Sequence, residues 1–193
     1  SNIFTLENED LEDDRCKEIL KCTKKLDIKE YEKNIENEIS EKAIEYKESE
    51  KCILIYVHAL DFVDKVYNKI KMKKNKIPET NIIRLTGTMR GYERDELVRS
   101  NPVFARFMPP GDQSKKVEPA KGLTYLICTS AGEVGINISA DHMICDLVSF
   151  ERMIQRFGRV NRFGGSKDSE ITVFYKTDNK GPDRFKKSVM KKP

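Results

Sequence analysis

The chain has 193 residues, 38% hydrophobic and 35% charged, with a net charge of +4. That length fits one domain with a peripheral extension, and the composition suits a globule whose core comes from a few concentrated apolar segments. No apolar run approaches the roughly 18 residues of a membrane helix, and nothing at the start resembles a signal peptide, so a cytoplasmic protein is expected.

Ser1-Asn2 reads as the remnant of a cleaved expression tag, which makes the chain a piece of something larger. Cys16, Cys22, Cys52, Cys128 and Cys145 are odd in number and form no C-x-x-C pair. They suggest neither a disulfide framework nor a zinc site, and are expected to be reduced and mostly buried. The net charge conceals a split: residues 7–50 hold 16 Asp/Glu against 9 Lys/Arg, whereas residues 51–193 hold 27 Lys/Arg against 16 Asp/Glu. A basic body of this kind suits a polyanion, because neutralising phosphates releases counterions.

In chain order, residues 9–48 read as helices. Ile28, Tyr31, Ile35, Ile39, Ala43 and Tyr46 recur at spacings of three and four, with Asp27 placed as N-cap. This acidic, helical extension over residues 1–50 must lay its apolar stripe on the body or on a neighbouring domain. From residue 51 short apolar runs alternate with helical stretches, the pattern of β-α units around a parallel sheet. Strands are predicted over Cys52–Val57, Ile82–Leu85, Leu123–Cys128, His142–Asp146 and Ile171–Tyr175. Helices are predicted over Leu60–Met72, around Asp95–Val98, and from Phe150 with Ser149 as its cap. Residues 101–122 carry four prolines and read as a loop, and residues 178–193 as a polar basic tail. The body is therefore expected to span residues 51–177.

Ligands of open parallel sheets sit at the carboxyl ends of the strands. Val57-His58-Ala59, Thr86 to Gly91 and Thr129 to Asn137 follow three of the predicted strands. Their small, hydroxyl-bearing and glycine residues expose backbone N–H groups that grip phosphates without reading bases. Gln155 to Arg162 reads Q-R-x-G-R-x-x-R. Guanidiniums stay charged at any biological pH and offer a planar fork of donors, which suits the spread charge of a phosphoryl transition state. The phosphate cradle itself is missing. There is no G-x-x-x-x-G-K-[ST], Gly164-Gly165-Ser166-Lys167 lacks the leading glycine and strand, and no Asp-Glu pair ends a strand to hold magnesium. His142 starts an apolar strand and reads as structural, and no hydrolytic triad stands out.

Together these features resemble the second RecA-like domain of a superfamily 2 helicase. Its motifs IV, V and VI would be Ile53 to His58, Thr129 to Asn137, and Gln155 to Arg162. Three stretches, Leu85 to Leu97, Ala131 to Asn137 and Ile154 to Arg162, look most like the helicase-nuclease of type I CRISPR systems, and T-G-T-M-R-G-x-E-R-D looks like its subtype G (formerly U) branch. The resemblance implies an α/β fold, a RecA-like parallel sheet flanked by helices. It implies Arg159 and Arg162 as arginine fingers, with Gln155, Arg156, Gly135 and Asn137 at the nucleotide. Many members carry aspartate where this chain has Asn137, and an amide can donate as well as accept. His58, Thr86, Gly87, Arg90, Thr129 and Ser130 fall on the family's strand-binding edge.

The implied activity is that of the C-terminal half of an ATP-dependent DNA helicase acting in CRISPR interference. ATP and Mg²⁺ would be held mainly by an N-terminal RecA-like domain of the same protein, so this piece alone is expected to be inactive. Single-stranded DNA and an RNA-guided surveillance complex are the implied partners, with no membrane. The family's histidine-aspartate nuclease cluster has no counterpart here. Another superfamily 2 DNA-repair or RNA helicase, or a non-catalytic nucleic-acid-binding or adaptor module, fits the residues as alternatives.

Overall fold

The computed structural model describes residue 17 and residues 22–87, 91–109, 117–130 and 136–177. Cys16, Arg90, Gly135 and the tail 178–193 lie outside the described residues, as does most of the expected helical stretch over 9–21. The central strands are β2 (Cys52–Tyr56), β4 (Thr124–Cys128) and β5 (His142–Asp146), each buried along its whole length. Near-continuous apolar runs form such strands because both faces of a parallel sheet are covered. β3 (Ile82–Leu85) and β6 (Ser169–Tyr175) flank them, and β1 (Lys24–Glu30) lies at the far edge. All six pair in parallel, in the order β1-β6-β5-β2-β4-β3.

The period of two along each strand divides the core. Leu54, Tyr56, Leu126, Cys128, Met143, Cys145, Ile171 and Val173 face one side. There they meet Val103, Phe104 and Phe107 of helix α4 (Pro102–Phe107), and Met153 of helix α5 (Phe150–Phe157). Ile53, Ile55, Tyr125, Ile127 and Ile144 face the other side. They are covered by Ile35, Ile39 and Ala43 of α1 (Ile35–Glu45) and by Val63, Val66, Tyr67 and Ile70 of α2 (Leu60–Ile70). Helix α3 (Gly91–Ser100) follows β3.

All five predicted strands are present, each within two residues of its expected ends. Three expectations are corrected. Residues 24–30 are a strand, so Asp27 caps nothing, and α1 begins after Asn34, whose side chain makes no cap bond. In Lys24-Lys25-Leu26-Asp27-Ile28-Lys29-Glu30 the two apolar residues are two apart, a strand period, and β6 satisfies the backbone on one side. The lysines keep this outer edge from pairing further. The boundary placed at residue 50 also disappears, because β1 belongs to the sheet and α1 to the core: Tyr125 Oη donates to Ala43 O at 2.8 Å. Finally, the proline-rich stretch holds α4. The Asn101 carboxamide accepts from Val103 N at 2.9 Å and Phe104 N at 3.2 Å, and Pro102 occupies the first turn, where its missing N–H costs nothing.

Cys52, Cys128 and Cys145 are buried and form no disulfide, and burial pushes the Cys52 thiol up. His142 is structural as expected: it stacks on Tyr46 with ring centroids 4.7 Å apart, and its Nδ1 accepts from Glu170 N at 3.1 Å. Among the described residues no helix is long and apolar enough to cross a membrane.

Two measurements check this packing. Ile39→Ala is expected to cost about 2–5 kcal/mol in a urea melt, the loss of a fully buried side chain; a loss near zero would mean that α1 is peripheral. Burial lowers the His142 pKa below its ordinary 6.5, so the unfolded chain takes up this proton first. Stability from this group is therefore full above pH 6.5 and falls as the pH drops through that value toward the folded one. His142→Gln is expected to flatten that part of the curve of urea midpoint against pH.

Candidate functional site

β2, β4 and β3 end level with one another. Val57 N donates to Cys128 O at 3.0 Å, and Thr129 N donates to Leu85 O at 3.2 Å. This pairing sets His58, Thr129-Ser130 and Thr86-Gly87 side by side on the carboxyl edge. Gly87 and Ser130 are exposed there, and Thr86 and Thr129 half-buried. Five of the six residues predicted for the strand-binding edge are thus neighbours, the sixth being Arg90. Tyr92 stands at the start of α3, just beyond this edge, with 80% of its surface exposed. A large aromatic left so open at the sheet edge is a surface on which a base can stack.

His58 is held from below. Its ring packs edge-on against Phe62 at 4.9 Å, and Nδ1 lies 2.6 Å from Asp146 Oδ2. A carboxylate only accepts, so Nδ1 carries the hydrogen in this bond. Asp146, the last residue of β5, is buried. Its other oxygen, Oδ1, accepts from Arg156 Nη1 at 2.8 Å, and the same nitrogen donates to Asp146 O at 2.8 Å. The Arg156 guanidinium carbon sits 4.8 Å from the centroid of the Tyr56 ring, so a cation–π contact completes the cage.

The sequence reading is corrected at Arg156. Its surface is 0% exposed, which leaves no atom for direct contact with a nucleotide. Its neighbour Gln155 is exposed on the outer face of α5. Ser149 precedes α5 but makes no side-chain cap bond; Met153 N donates instead to Ser149 O at 2.9 Å.

After α5 the chain turns along the segment that leads into β5. Val160 forms a parallel bridge with Ala140, Ala140 N donates to Arg159 O at 2.9 Å, and Arg162 N donates to Ser139 Oγ at 3.0 Å. Asn161 adopts φ 46°, and its carboxamide clamps Ser166 through both atoms, at 2.7 and 3.2 Å. Asparagine tolerates this left-handed geometry because its short side chain bonds locally. Arg159 N donates to Arg156 O at 2.9 Å. The Arg159 side chain is nearly buried, at 7% exposed. Burial lowers its pKa, opposed by the nearby Tyr56 and assisted by the like charge of Arg162; a guanidinium remains a cation regardless. Arg162 is exposed. Asn137 is exposed between buried Ile136 and Ile138, two residues before Ser139.

The predicted residues therefore form two groups. His58, Thr86, Gly87, Thr129 and Ser130 lie on the carboxyl edge. Arg159, Arg162 and Asn137 gather along residues 136–140 and 159–162, beside the amino end of β5. Sequence reasoning missed Asp146 and Tyr56, which join the groups. A signal was present: an aspartate closing an otherwise apolar strand must be paired once the strand is buried. With both carboxylate oxygens engaged, Asp146 is not available to magnesium, and among the described residues no group of three or more His, Cys, Asp or Glu could hold a metal. The arginine turn suits an anion.

Residues 49–165 match the family model described as CRISPR-associated nuclease/helicase Cas3, C-terminal. No curated protein matches the chain. Among solved structures, the fold is similar to that of T. fusca Cas3-ADP, at 20% identity and a TM-score of 0.63, over 83% of this chain and 19% of that one. It is also similar to a chain of a CRISPR RNA-guided surveillance complex, pre-nicking, at 19% identity and a TM-score of 0.59, over 83% of this chain and 20% of that one. A third match is the DUF1998 helicase MrfA bound to DNA, at 15% identity and a TM-score of 0.55, over 80% of this chain and 20% of that one. This chain thus spans about a fifth of the length of each. At such identities the likeness shows the fold, which is the expected RecA-like sheet, while the family model covers more than half of the chain; the chain belongs to the family of Cas3-type CRISPR-associated helicase C-terminal domains.

Proposed function

We propose that this chain is the second RecA-like half of an ATP-dependent DNA helicase or translocase acting in CRISPR interference, and that it supplies arginine fingers and part of a single-strand track. The observation that carries this reading is the turn at Arg159 to Arg162. Arg162 pairs with no carboxylate among the described residues, and it stands near enough to Arg159 for the two charges to interact. Two guanidiniums brought together in this way suit an anion, and the γ-phosphate of ATP is one of fitting shape.

Gly158 supports the same direction of approach. Among the described residues, a Cβ added there would meet the carbonyl oxygens of Gln155 and Ile154, both at 3.5 Å, and no side chain. Gln155 and Asn137 would reach the nucleotide from the helix face and from the segment beside the turn. Gly135 belongs to the same proposed set. ATP and Mg²⁺ would be held mainly by the nucleotide-binding half of the same protein. Structures of similar fold, T. fusca Cas3-ADP and Cas3-ATP, support a nucleotide as the ligand.

On the carboxyl edge, Thr86, Gly87, Thr129, Ser130 and His58, with Arg90, would contact the strand backbone, and Tyr92 would stack on a base. MrfA bound to DNA and the RNA-guided surveillance complex, both of similar fold, support single-stranded DNA and such a complex as partners.

In the full-length protein, Arg159→Ala is expected to lower ATP turnover about 10³-fold or more, the usual effect of an arginine finger. Single-strand binding at low salt should change little. Equal loss of both would make Arg159 a DNA contact instead. The chain by itself, without a phosphate cradle, is expected to hydrolyse no ATP in a phosphate-release assay; steady turnover by the purified chain would overturn the half-site reading.

A further inference from the structure

The two groups of candidate residues lie at opposite ends of α5. That helix leaves the carboxyl end of β5 and returns over eight residues, about 12 Å at 1.5 Å per residue, to a turn beside the amino end of the same strand. Asp146 bonds directly to His58 of the first group and reaches the second through Arg156. Oδ2 holds His58 at 2.6 Å on the strand-binding edge, and Oδ1 holds Arg156 at 2.8 Å. Arg156 in turn carries the arginine turn directly, because its carbonyl accepts from Arg159 N. Tyr56 lies under the Arg156 guanidinium and close enough to Arg159 to act on its charge.

We propose that Asp146 is a positioning residue that couples the single-strand edge to the arginine turn through His58 on one carboxylate oxygen and Arg156 on the other. The inference rests on the proposed helicase function and goes beyond it by naming the link between its two sites. The asymmetry of burial makes the link directional. The His58 side chain is 54% exposed and Asp146 and Arg156 are enclosed, so a strand can displace only the imidazole. A shift of His58 must then be answered by Asp146, whose carboxylate draws Arg156 with it through the bond to Oδ1. The geometry needs no rearrangement of the sheet. It moves α5 and with it Arg159, across packed contacts that have few intermediate positions.

The test uses the full-length protein at saturating ATP, titrated with single-stranded DNA. For His58→Gln the plateau of strand-stimulated turnover is expected to fall about fivefold or more, the low end of ordinary site-to-site coupling. His58→Asn, whose amide nitrogen can take the place of Nδ1, should restore much of that plateau. Asp146→Asn should lower the plateau as His58→Gln does, and the double variant should lose little more than either single one, as residues acting through one link do. A variant that raises only the half-saturating strand concentration, with the plateau unchanged, would make His58 a simple phosphate contact and overturn the coupling. Losses that multiply in the double variant would overturn it as well. Should Asp146→Asn fail to fold, the contrast between His58→Gln and His58→Asn decides alone. A wild-type protein whose turnover no strand stimulates would remove the functional reading, and the coupling with it.

Discussion

The buried ion pair of Asp146 and Arg156 is the constraint around which the functional half of this fold is arranged. Taking two charges out of water costs several kcal/mol for each ion, and mutual attraction offsets that only when the remaining donors and acceptors are also satisfied. Here the carboxylate is shared with His58, and the same guanidinium nitrogen reaches the carbonyl of its own partner. An apolar pair of similar volume would stabilise the fold as well or better. What an apolar pair cannot do is fix direction. Two bidentate-capable groups, one ending a strand and one on a helix, determine how far α5 rotates about its axis and where its last turn falls. The position of Arg159 follows from that rotation.

The sheet supplies the rigid frame for this arrangement. Its central strands are covered on both faces, and the level ends of β2, β4 and β3 are tied by backbone hydrogen bonds that admit no slip without moving every side chain to the other face. Loops that carry contacts are thereby fixed at their roots. The outer strand differs. Leu26 and Ile28 of β1 face the same side as their register partners Ile171 and Val173, yet remain 47% and 43% exposed, because α5 reaches only as far as Lys24, whose Nζ donates to Phe157 O.

What could be read from the sequence follows from these physical differences. Five strands were legible, most plainly the central β2, β4 and β5, because a doubly covered strand must be apolar along its length, a pattern few other elements share. β1 was not, because an outer strand satisfied by backbone pairing places little demand on its side chains, and Ile28 and Tyr31 continued the three-four spacing of the helix that follows. The N-P pair at Asn101-Pro102 is a helix start, hidden by the other prolines of the loop. At the site, residue types announced the arginine cluster. Spacing could not separate Arg156 from its neighbours, since whether an arginine on an amphipathic helix faces inward depends on finding a buried anion. That anion, Asp146, lies ten residues earlier and on another element.

The two proposed fingers differ in what closing a cleft would demand of them. Arg159 is nearly buried, with its backbone bonded on both sides, so most of its rotamer freedom is already lost in this half alone. Arg162 is exposed and anchored only through its backbone, and ordering a free arginine side chain costs up to about 2 kcal/mol. If the anion is a γ-phosphate carried on the other half, Arg159 meets it pre-organised. Arg162 must be ordered at the moment of closure, by the binding energy of the partner and its ligand. The loss on removing Arg159 would then fall mainly on the chemical step, whereas part of the loss on removing Arg162 would appear in how readily the halves close. On the proposed reading the same motif would hold one finger that the fold prepares in advance and one that waits for the second domain.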